Sequence, residues 1–259
     1  MSIFDVYVAK IADYVESMRR EGRRVREIDC PSAVDDLLRG LPVPVGPKAD
    51  PGLVLRGDTF VELGNPEVGS CAFLLWTDNL PLVRDGRITL IGPDIQESPG
   101  ASLPFGQVLM VGGKNLDKQD HGVLEHTQYI SDQIEGYMIK SVSQLLWARV
   151  SKNAARKGFC FEALGRALMA IFKLELPKVQ AMEVVFVTSN KDDLQPLENI
   201  AEQIRKIARD IVTENWKAKG FDLYECTFGW NCSRCPDQPV CDDIKELITI
   251  SKSKADKQD

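Results

Sequence analysis

Four of the seven cysteines in this 259-residue sequence lie within one short stretch near its C-terminus. They are Cys226, Cys232, Cys235 and Cys241, spaced C-x5-C-x2-C-x5-C. Thiolates so close together in a chain without an export signal are more often metal ligands than disulfides, because a reducing compartment does not keep them oxidised. Cysteine thiolates hold iron–sulfur clusters, and four cysteines also hold structural zinc. The spacing therefore predicts one metal centre shared by these four side chains.

The spacing favours an iron–sulfur cluster over zinc. Zinc ribbons usually carry two C-x2-C knuckles separated by a longer insert, whereas this stretch has one knuckle with a five-residue arm on each side. Phe228, Trp230 and Val240 would give the centre an apolar wall, and burial of this kind tunes the reduction potential of a cluster. A [4Fe–4S] cluster is the leading interpretation, and structural zinc is the alternative.

Composition and charge set limits on the class of protein. At 259 residues the chain can bury a full hydrophobic core, as one large domain or two small ones. The net charge of −6 argues against nonspecific nucleic-acid binding, which needs a positive field. No apolar run approaches the length of a membrane span, and the N-terminus lacks a basic segment followed by an apolar one. We therefore expect a cytoplasmic protein with no membrane span.

The N-terminal region combines a helical pattern with a cluster of arginines. Apolar residues recur every three or four positions between residues 3 and 22, which predicts an amphipathic helix. Five arginines surround its end: Arg19, Arg20, Arg23, Arg24 and Arg26. The favoured interpretation is that they complement the helix dipole. The alternative is a docking patch for an acidic partner or a phosphate-bearing ligand.

The rest of the pattern predicts an α+β fold with a mixed sheet and packed helices. Strand patterns cover residues 59–63, 71–76, 87–91, 107–111, 144–150 and 184–188. Helical patterns cover 33–38, 151–158, 161–174 and 194–218, and a further helical stretch reaches about residue 138. Proline and glycine between residues 41 and 52 mark a linker. The predicted divisions are an N-terminal helical segment over 1–45, an α+β domain over 53–220, a Cys-rich metal-binding knob over 221–250 and a disordered tail over 251–259.

Several short motifs occur in a recognisable order. V-E-L-G-N-P stands at residues 61–66 and G-R-I-T-L-I-G-P-D-I at 86–95; W-A-R-V-S-K-N-A follows at 147–154 and K-G-F at 157–159. Together they resemble the catalytic (beta) subunit of carbon monoxide dehydrogenase/acetyl-CoA synthase. The likeness extends over roughly residues 55 to 245 and corresponds to a shortened member that matches the middle domain of the family.

The resemblance implies a coenzyme A site at the W-x-R motif. The tryptophan of this motif is associated with coenzyme A binding in the family, which points to Trp147, with Arg149 close by. An indole can stack on adenine, and a guanidinium can clamp a phosphate. The alternative is that Trp147 is a core residue on a strand.

The departures from the family affect the metal chemistry. The family holds a nickel–iron–sulfur cluster through a C-x2-C and two widely spaced cysteines, and a later Cys-Gly-Cys binds the terminal nickel. Here the cysteines are spaced differently, and no Cys-Gly-Cys follows them. We therefore expect this chain alone not to synthesise acetyl-CoA.

Three hypotheses follow for function. The leading one is a [4Fe–4S] electron-transfer or scaffold subunit in an anaerobic one-carbon or acyl-CoA complex. That complex would be an oxidoreductase or an acyl- or methyltransferase. Its implied partners are other protein subunits, with a corrinoid or ferredoxin-like protein among the candidates. The second is a noncatalytic protein-binding module with structural zinc at the same cysteines. The third is an enzyme in its own right with an open iron or nickel site, for which four cysteines without a nearby histidine give little support.

Overall fold

A computed structural model describes residues 4–46, 49, 53–116, 120, 123–124, 127, 133–142 and 145–218. For residues 141–142, 145 and 208–218 it describes the backbone alone. The four clustered cysteines, the two histidines and the predicted tail lie outside these ranges. The predictions made for them therefore stay predictions.

Five helices and nine strands are defined among the described residues. The helices are α1 (Asp5–Arg20), α2 (Val34–Leu38), α3 (Lys152–Arg156), α4 (Phe161–Glu175) and α5 (Gln195–Ala218). The strands are β1 (Val25–Asp29), β2 (Thr59–Leu63), β3 (Ser70–Thr77), β4 (Arg87–Ile91), β5 (Ser102–Leu103), β6 (Phe105–Gly113), β7 (Tyr137–Val142), β8 (Leu145–Ser151) and β9 (Val179–Val187). Met1–Glu202 form one compact unit, and Gln203–Asp259 form a second.

The larger sheet has five strands in the order β1-β4-β9-β6-β3. β1 and β4 are antiparallel, β4 and β9 parallel, β9 and β6 antiparallel, and β6 and β3 parallel. The sheet is mixed, as predicted. Helix α4 packs on β4 and β9. At this contact Gly165 lies so close to Ile88 that a Cβ on the glycine would come within 2.5 Å of the Ile88 Cδ1 atom, so a larger residue would separate helix and sheet.

The smaller sheet has four strands in the order β5-β2-β8-β7. Successive residues of its strands point alternately to a buried face and to a partly exposed outer face. The buried face belongs to the hydrophobic core and comprises Val61, Leu63, Tyr137, Ile139, Leu146, Ala148 and Val150. The outer face comprises Glu62, Met138, Lys140, Trp147 and Arg149.

Most predicted elements are confirmed, and the differences are local. Helices α1 to α5 and strands β2, β3, β4, β6, β8 and β9 all occur where patterns predicted them, although β9 begins five residues earlier. The helical stretch that was predicted to reach Met138 was wrong at its end, because Met138 lies in β7. Strands β1, β5 and β7 were not predicted. The N-terminal segment 1–45 therefore contains not only helices but also a strand, β1, which pairs with β4.

No helix among the described ranges combines the length and apolar composition needed to cross a membrane.

Two buried tyrosines provide a matched test of this packing. The hydroxyl of Tyr14 donates to the carbonyl oxygen of Asp193 at 2.7 Å, whereas the hydroxyl of Tyr137 has no hydrogen-bond partner among the described residues. We expect Tyr137→Phe to leave the free energy of unfolding unchanged or raise it by up to about 1 kcal/mol, because it removes a buried unpaired hydroxyl. Tyr14→Phe should lower it by about 1–2 kcal/mol, because it leaves the Asp193 carbonyl unpaired.

Urea unfolding of both variants measures these changes. A loss of stability in Tyr137→Phe as large as that in Tyr14→Phe would contradict this description of the core.

Candidate functional site

The two family-like motifs meet across the pairing of β2 with β8. In this antiparallel pair Glu62 stands opposite Arg149, and Leu63 stands opposite Ala148. On the other side of β8, Trp147 stands opposite Lys140 of β7. Residues that alternate along neighbouring strands share one face of a sheet, so Glu62, Arg149, Trp147 and Lys140 all lie on the outer face. We call these four residues the outer-face site.

Arg149 is at the centre of the outer-face site. Its Nε donates to Oε1 of Glu62 at 2.9 Å, and the two side chains are 17% and 21% exposed. The guanidinium carbon lies over the ring of Trp147, 4.9 Å from the ring centroid, within the range of a cation–π contact. The Nη1 and Nη2 atoms make no hydrogen bond with any described residue. One edge of the guanidinium is therefore without a hydrogen-bond partner among the described residues.

Glu62 is fixed by three neighbours. Besides Arg149, the side-chain amide of Asn65 donates to Oε2 of Glu62 at 3.0 Å, and the hydroxyl of Ser102 donates to the same atom at 3.4 Å. Burial acts to raise the pKa of Glu62, but the hydrogen bonds from Asn65 and Arg149 and the nearby indole of Trp147 outweigh it. The pKa of Glu62 therefore lies below its ordinary value, and the carboxylate is charged at neutral pH.

Trp147 lies at the edge of the core rather than inside it. Its side chain is half-buried on the outer face, and the residues before and after it, Leu146 and Ala148, face the core instead. The indole Nε1 is buried and has no hydrogen-bond partner of ordinary geometry among the described residues, although it is near enough to lower the pKa of Glu62. This position differs from the core alternative and leaves part of the indole accessible.

The turn after β2 explains why a glycine follows Glu62 and Leu63. Gly64 has a φ of +68°, and a Cβ there would overlap the carbonyl oxygen of Leu146 and lie 2.7 Å from the Cβ of Ser70. A glycine has neither problem. The side chain of Asn65 then accepts hydrogen bonds from the backbone N–H groups of Glu67 and Val68, at 3.0 and 3.1 Å. This turn places the Asn65 amide next to Glu62.

The residues of the G-R-I-T-L-I-G-P-D-I segment make structural contacts that stabilise the fold. Arg87 pairs with the buried Glu183, with 2.6 Å between Nη2 and Oε1. Burial raises the pKa of Glu183, and Arg87 opposes that shift. Asp94 accepts hydrogen bonds from the backbone N–H groups of Ile95 and Phe161, at 2.7 and 3.0 Å. Asp94 thereby connects the end of β4 to the start of α4. β4 belongs to the five-stranded sheet, whereas the outer-face site is on the four-stranded sheet.

The arginines near the end of α1 form ion pairs within the chain. Arg19 pairs with Glu27 at 2.7 Å, and Arg23 pairs with Asp193 at 3.0 Å. Arg24 and Arg26 both pair with Glu97, at 2.9 and 3.2 Å. Four of the five arginines thus form ion pairs with carboxylates of the chain, a role that the helix-dipole interpretation did not include. The docking-patch alternative stays a prediction.

The described residues contain no group of three or more His, Cys, Asp or Glu side chains that could hold a metal ion. Cys30, Cys71 and Cys160 are free thiols. Burial is the main cause that raises the pKa of Cys30 and of Cys160, which disfavours the thiolate form needed for nucleophilic or metal chemistry.

The order of these motifs agrees with comparisons with known proteins. The model of a family described as "CO dehydrogenase/acetyl-CoA synthase complex beta subunit" matches residues 41–193. This chain belongs to that family. The matched residues include β2 to β9, α3 and α4, and so the whole outer-face site.

Curated relatives give the same result. The chain is 30% identical over 203 residues to acetyl-CoA decarbonylase/synthase complex subunit beta 1 of Methanosarcina thermophila, an alignment that covers 77% of this chain and 42% of the relative. It is 29% identical over 228 residues to the corresponding beta subunit of Archaeoglobus fulgidus, which covers 83% of this chain and 43% of the relative. The chain thus spans less than half the length of these relatives.

Sequence reasoning identified Trp147 and Arg149 but gave no role to Glu62, Asn65 or Lys140. Glu62 and Asn65 are part of the V-E-L-G-N-P motif, so the motif itself was the available signal. Their roles follow from contacts between distant positions, since Glu62 and Arg149 are 87 residues apart.

Gly64→Ala tests whether this turn supports the site. We expect the free energy of unfolding to fall by about 3 kcal/mol, because the new Cβ meets both left-handed backbone strain and overpacking. Gly100→Ala is the matched control, since Gly100 has a similar φ of +72° but no atom within 4 Å of the position that a Cβ would take. It should cost only about 1 kcal/mol. Equal losses in the two variants, measured by urea unfolding, would contradict a close contact at Gly64.

Proposed function

We propose that this chain is an iron–sulfur subunit of a multi-subunit complex for anaerobic one-carbon or acyl-CoA chemistry. In this role it relays electrons or stabilises a subunit interface. Family membership supports the proposal, as does the fact that the relatives are named as beta subunits of acetyl-CoA decarbonylase/synthase complexes. The implied partners are the other protein subunits of such a complex, a corrinoid or ferredoxin-like protein among the candidates.

The observation that supports the acyl-CoA part of the proposal is the outer-face site at Trp147. A half-buried indole with a guanidinium above it matches what an adenine nucleotide needs, namely an aromatic surface and a cationic donor for phosphate. One feature fits such a ligand: the terminal nitrogens of Arg149 make no hydrogen bond with a described residue. We propose that coenzyme A binds here through its adenine and a phosphate.

The metal proposal depends on the four cysteines. Cys226, Cys232, Cys235 and Cys241 would bind one [4Fe–4S] cluster, because thiolates are the usual ligands of such clusters and the single C-x2-C knuckle places two sulfurs close together. The cluster would supply one-electron transfer.

The alternative is a noncatalytic protein-binding module in which the same cysteines hold a structural zinc ion. Four cysteines around one ion form a closed tetrahedral site, which contributes directly to the free energy of folding. The two proposals give opposite results in metal analysis.

Anaerobic purification and metal analysis distinguish cluster from zinc. We expect a brown protein that contains iron and sulfide in equal amounts, because a [4Fe–4S] cluster holds as many sulfides as irons. Cys235→Ala should lose most of both, whereas Cys30→Ala is the control and should keep them, since Cys30 lies in the part of the chain packed against the core of the sheet. A colourless protein with one zinc per chain, which unfolds in chelator, would instead establish the zinc alternative.

The coenzyme A proposal is tested by binding at Trp147. We expect Trp147→Ala to weaken coenzyme A binding at least about tenfold, because base–aromatic stacking contributes about 1–3 kcal/mol. Trp76→Phe is the control and should leave the affinity unchanged, since Trp76 is in β3 of the five-stranded sheet, where its ring packs edge-on against Phe4. Isothermal titration calorimetry of the anaerobically purified chain measures both. Equal affinity of wild type and Trp147→Ala would overturn the site.

A further inference from the structure

The guanidinium of Arg149 is anchored through one nitrogen only. Its Nε donates to Oε1 of Glu62 at 2.9 Å, and its Cζ lies 4.9 Å from the centroid of the Trp147 ring. Nη1 and Nη2 have no hydrogen bond with a described residue. Since a guanidinium is planar, holding Nε on Glu62 and Cζ over the indole restricts where the two terminal N–H groups are presented.

Glu62 is a rigid anchor for this arginine. Its second oxygen accepts from Asn65 and Ser102, and these two residues come from the turn after β2 and from β5. Ser102 and Arg149 stand on either side of Glu62 in the strand register. A carboxylate held from three sides does not follow the arginine when a ligand arrives, so the arginine keeps its orientation.

We propose that Glu62 is a positioning residue that, through Arg149, makes the outer-face site selective for an adenine nucleotide with a phosphate monoester. The inference rests on the proposed coenzyme A site and adds the source of its selectivity. The two terminal N–H groups of Arg149 bind the phosphate monoester while the base stacks on Trp147. Paired donors of this kind match phosphate oxygens in geometry as well as charge.

The charges at the site require a second cation. Glu62 and Arg149 together have no net charge, whereas a phosphate monoester carries about −1.5 to −2 at neutral pH. Lys140 stands opposite Trp147 on β7 and is exposed, and it makes no hydrogen bond or ion pair with a described residue. It supplies the net positive charge of the site.

Glu62 therefore has two opposing effects on a bound phosphate. Its hydrogen bond holds Arg149 in place, which reduces the freedom lost when ligand binds. Its negative charge repels the phosphate. Replacing the carboxylate by an amide keeps an acceptor for Nε and removes the charge, although it also replaces the oxygen that accepts from Asn65 and Ser102. Truncation to alanine removes the acceptor and the charge together. Glu62→Gln and Glu62→Ala thus separate orientation from charge.

The test compares coenzyme A with dephospho-coenzyme A, which lacks the phosphate monoester. Isothermal titration calorimetry on the anaerobically purified full chain should give wild type a preference of about tenfold for coenzyme A, the size expected for a partly exposed charge-assisted contact. Glu62→Gln should keep this preference and bind coenzyme A at least as tightly. Glu62→Ala should lose most of the preference, while its affinity for dephospho-coenzyme A stays within about twofold of wild type.

The controls and failures are distinguishable. Asp29→Ala removes a carboxylate from an arginine pair on the other sheet, since Asp29 binds Arg84 at 2.7 Å, and it should change neither affinity. A merely structural role for Glu62 would weaken both ligands alike in Glu62→Ala, and loss of preference in Glu62→Gln would assign the effect to charge; either result overturns the inference. If wild type binds neither ligand, the coenzyme A site fails as well. If wild type shows the preference and Glu62→Ala keeps it, only the role of Glu62 fails.

Discussion

The two sheets are joined at a point that has no room for a side chain. Where the chain leaves β2, Gly64 adopts a φ of +68° and lies against the carbonyl oxygen of Leu146. The backbone N–H of Leu146 in turn donates to the buried hydroxyl of Ser70, the first residue of β3, at 2.8 Å. The end of β2 and the start of β3 therefore both contact the backbone of Leu146 in β8. Because register determines which side chains stand opposite each other, the Glu62–Arg149 pair depends on this junction.

Periodicity predicted the elements whose environment is uniform along their length. Helix α4 and strand β9 are examples, because one has a continuous apolar face and the other is almost fully buried. Strand β1 escaped prediction because V-R-E-I-D has only two apolar residues. Its extended form depends on pairing with β4 and on ion pairs such as Arg26 with Glu97. Here tertiary contacts outweigh local propensity.

The site was predictable only in part for a similar reason. Trp147 and Arg149 could be identified as neighbours on one face because they are two residues apart on a strand. Glu62 could not be joined to them, since strand order and register link positions 87 residues apart and no local pattern encodes them. The V-E-L-G-N-P motif contains the residues that build this part of the site, but its sequence does not indicate their roles. Its glycine makes the turn, its asparagine orients the carboxylate and its glutamate meets the arginine.

The sequence offered two places where arginines could meet an anion, and hydrogen-bond saturation separates them. Around the end of α1, Arg19, Arg23, Arg24 and Arg26 each place at least one terminal nitrogen on a carboxylate of the chain. An incoming phosphate would have to break these pairs before it gained new ones. Arg149 uses only Nε in its pair and keeps both terminal nitrogens free of described partners. Arg149, whose terminal nitrogens have no described partner, is therefore a better anion site than these four arginines, whose ion pairs would have to break, because binding is governed by the change in hydrogen bonds rather than by the number of positive charges.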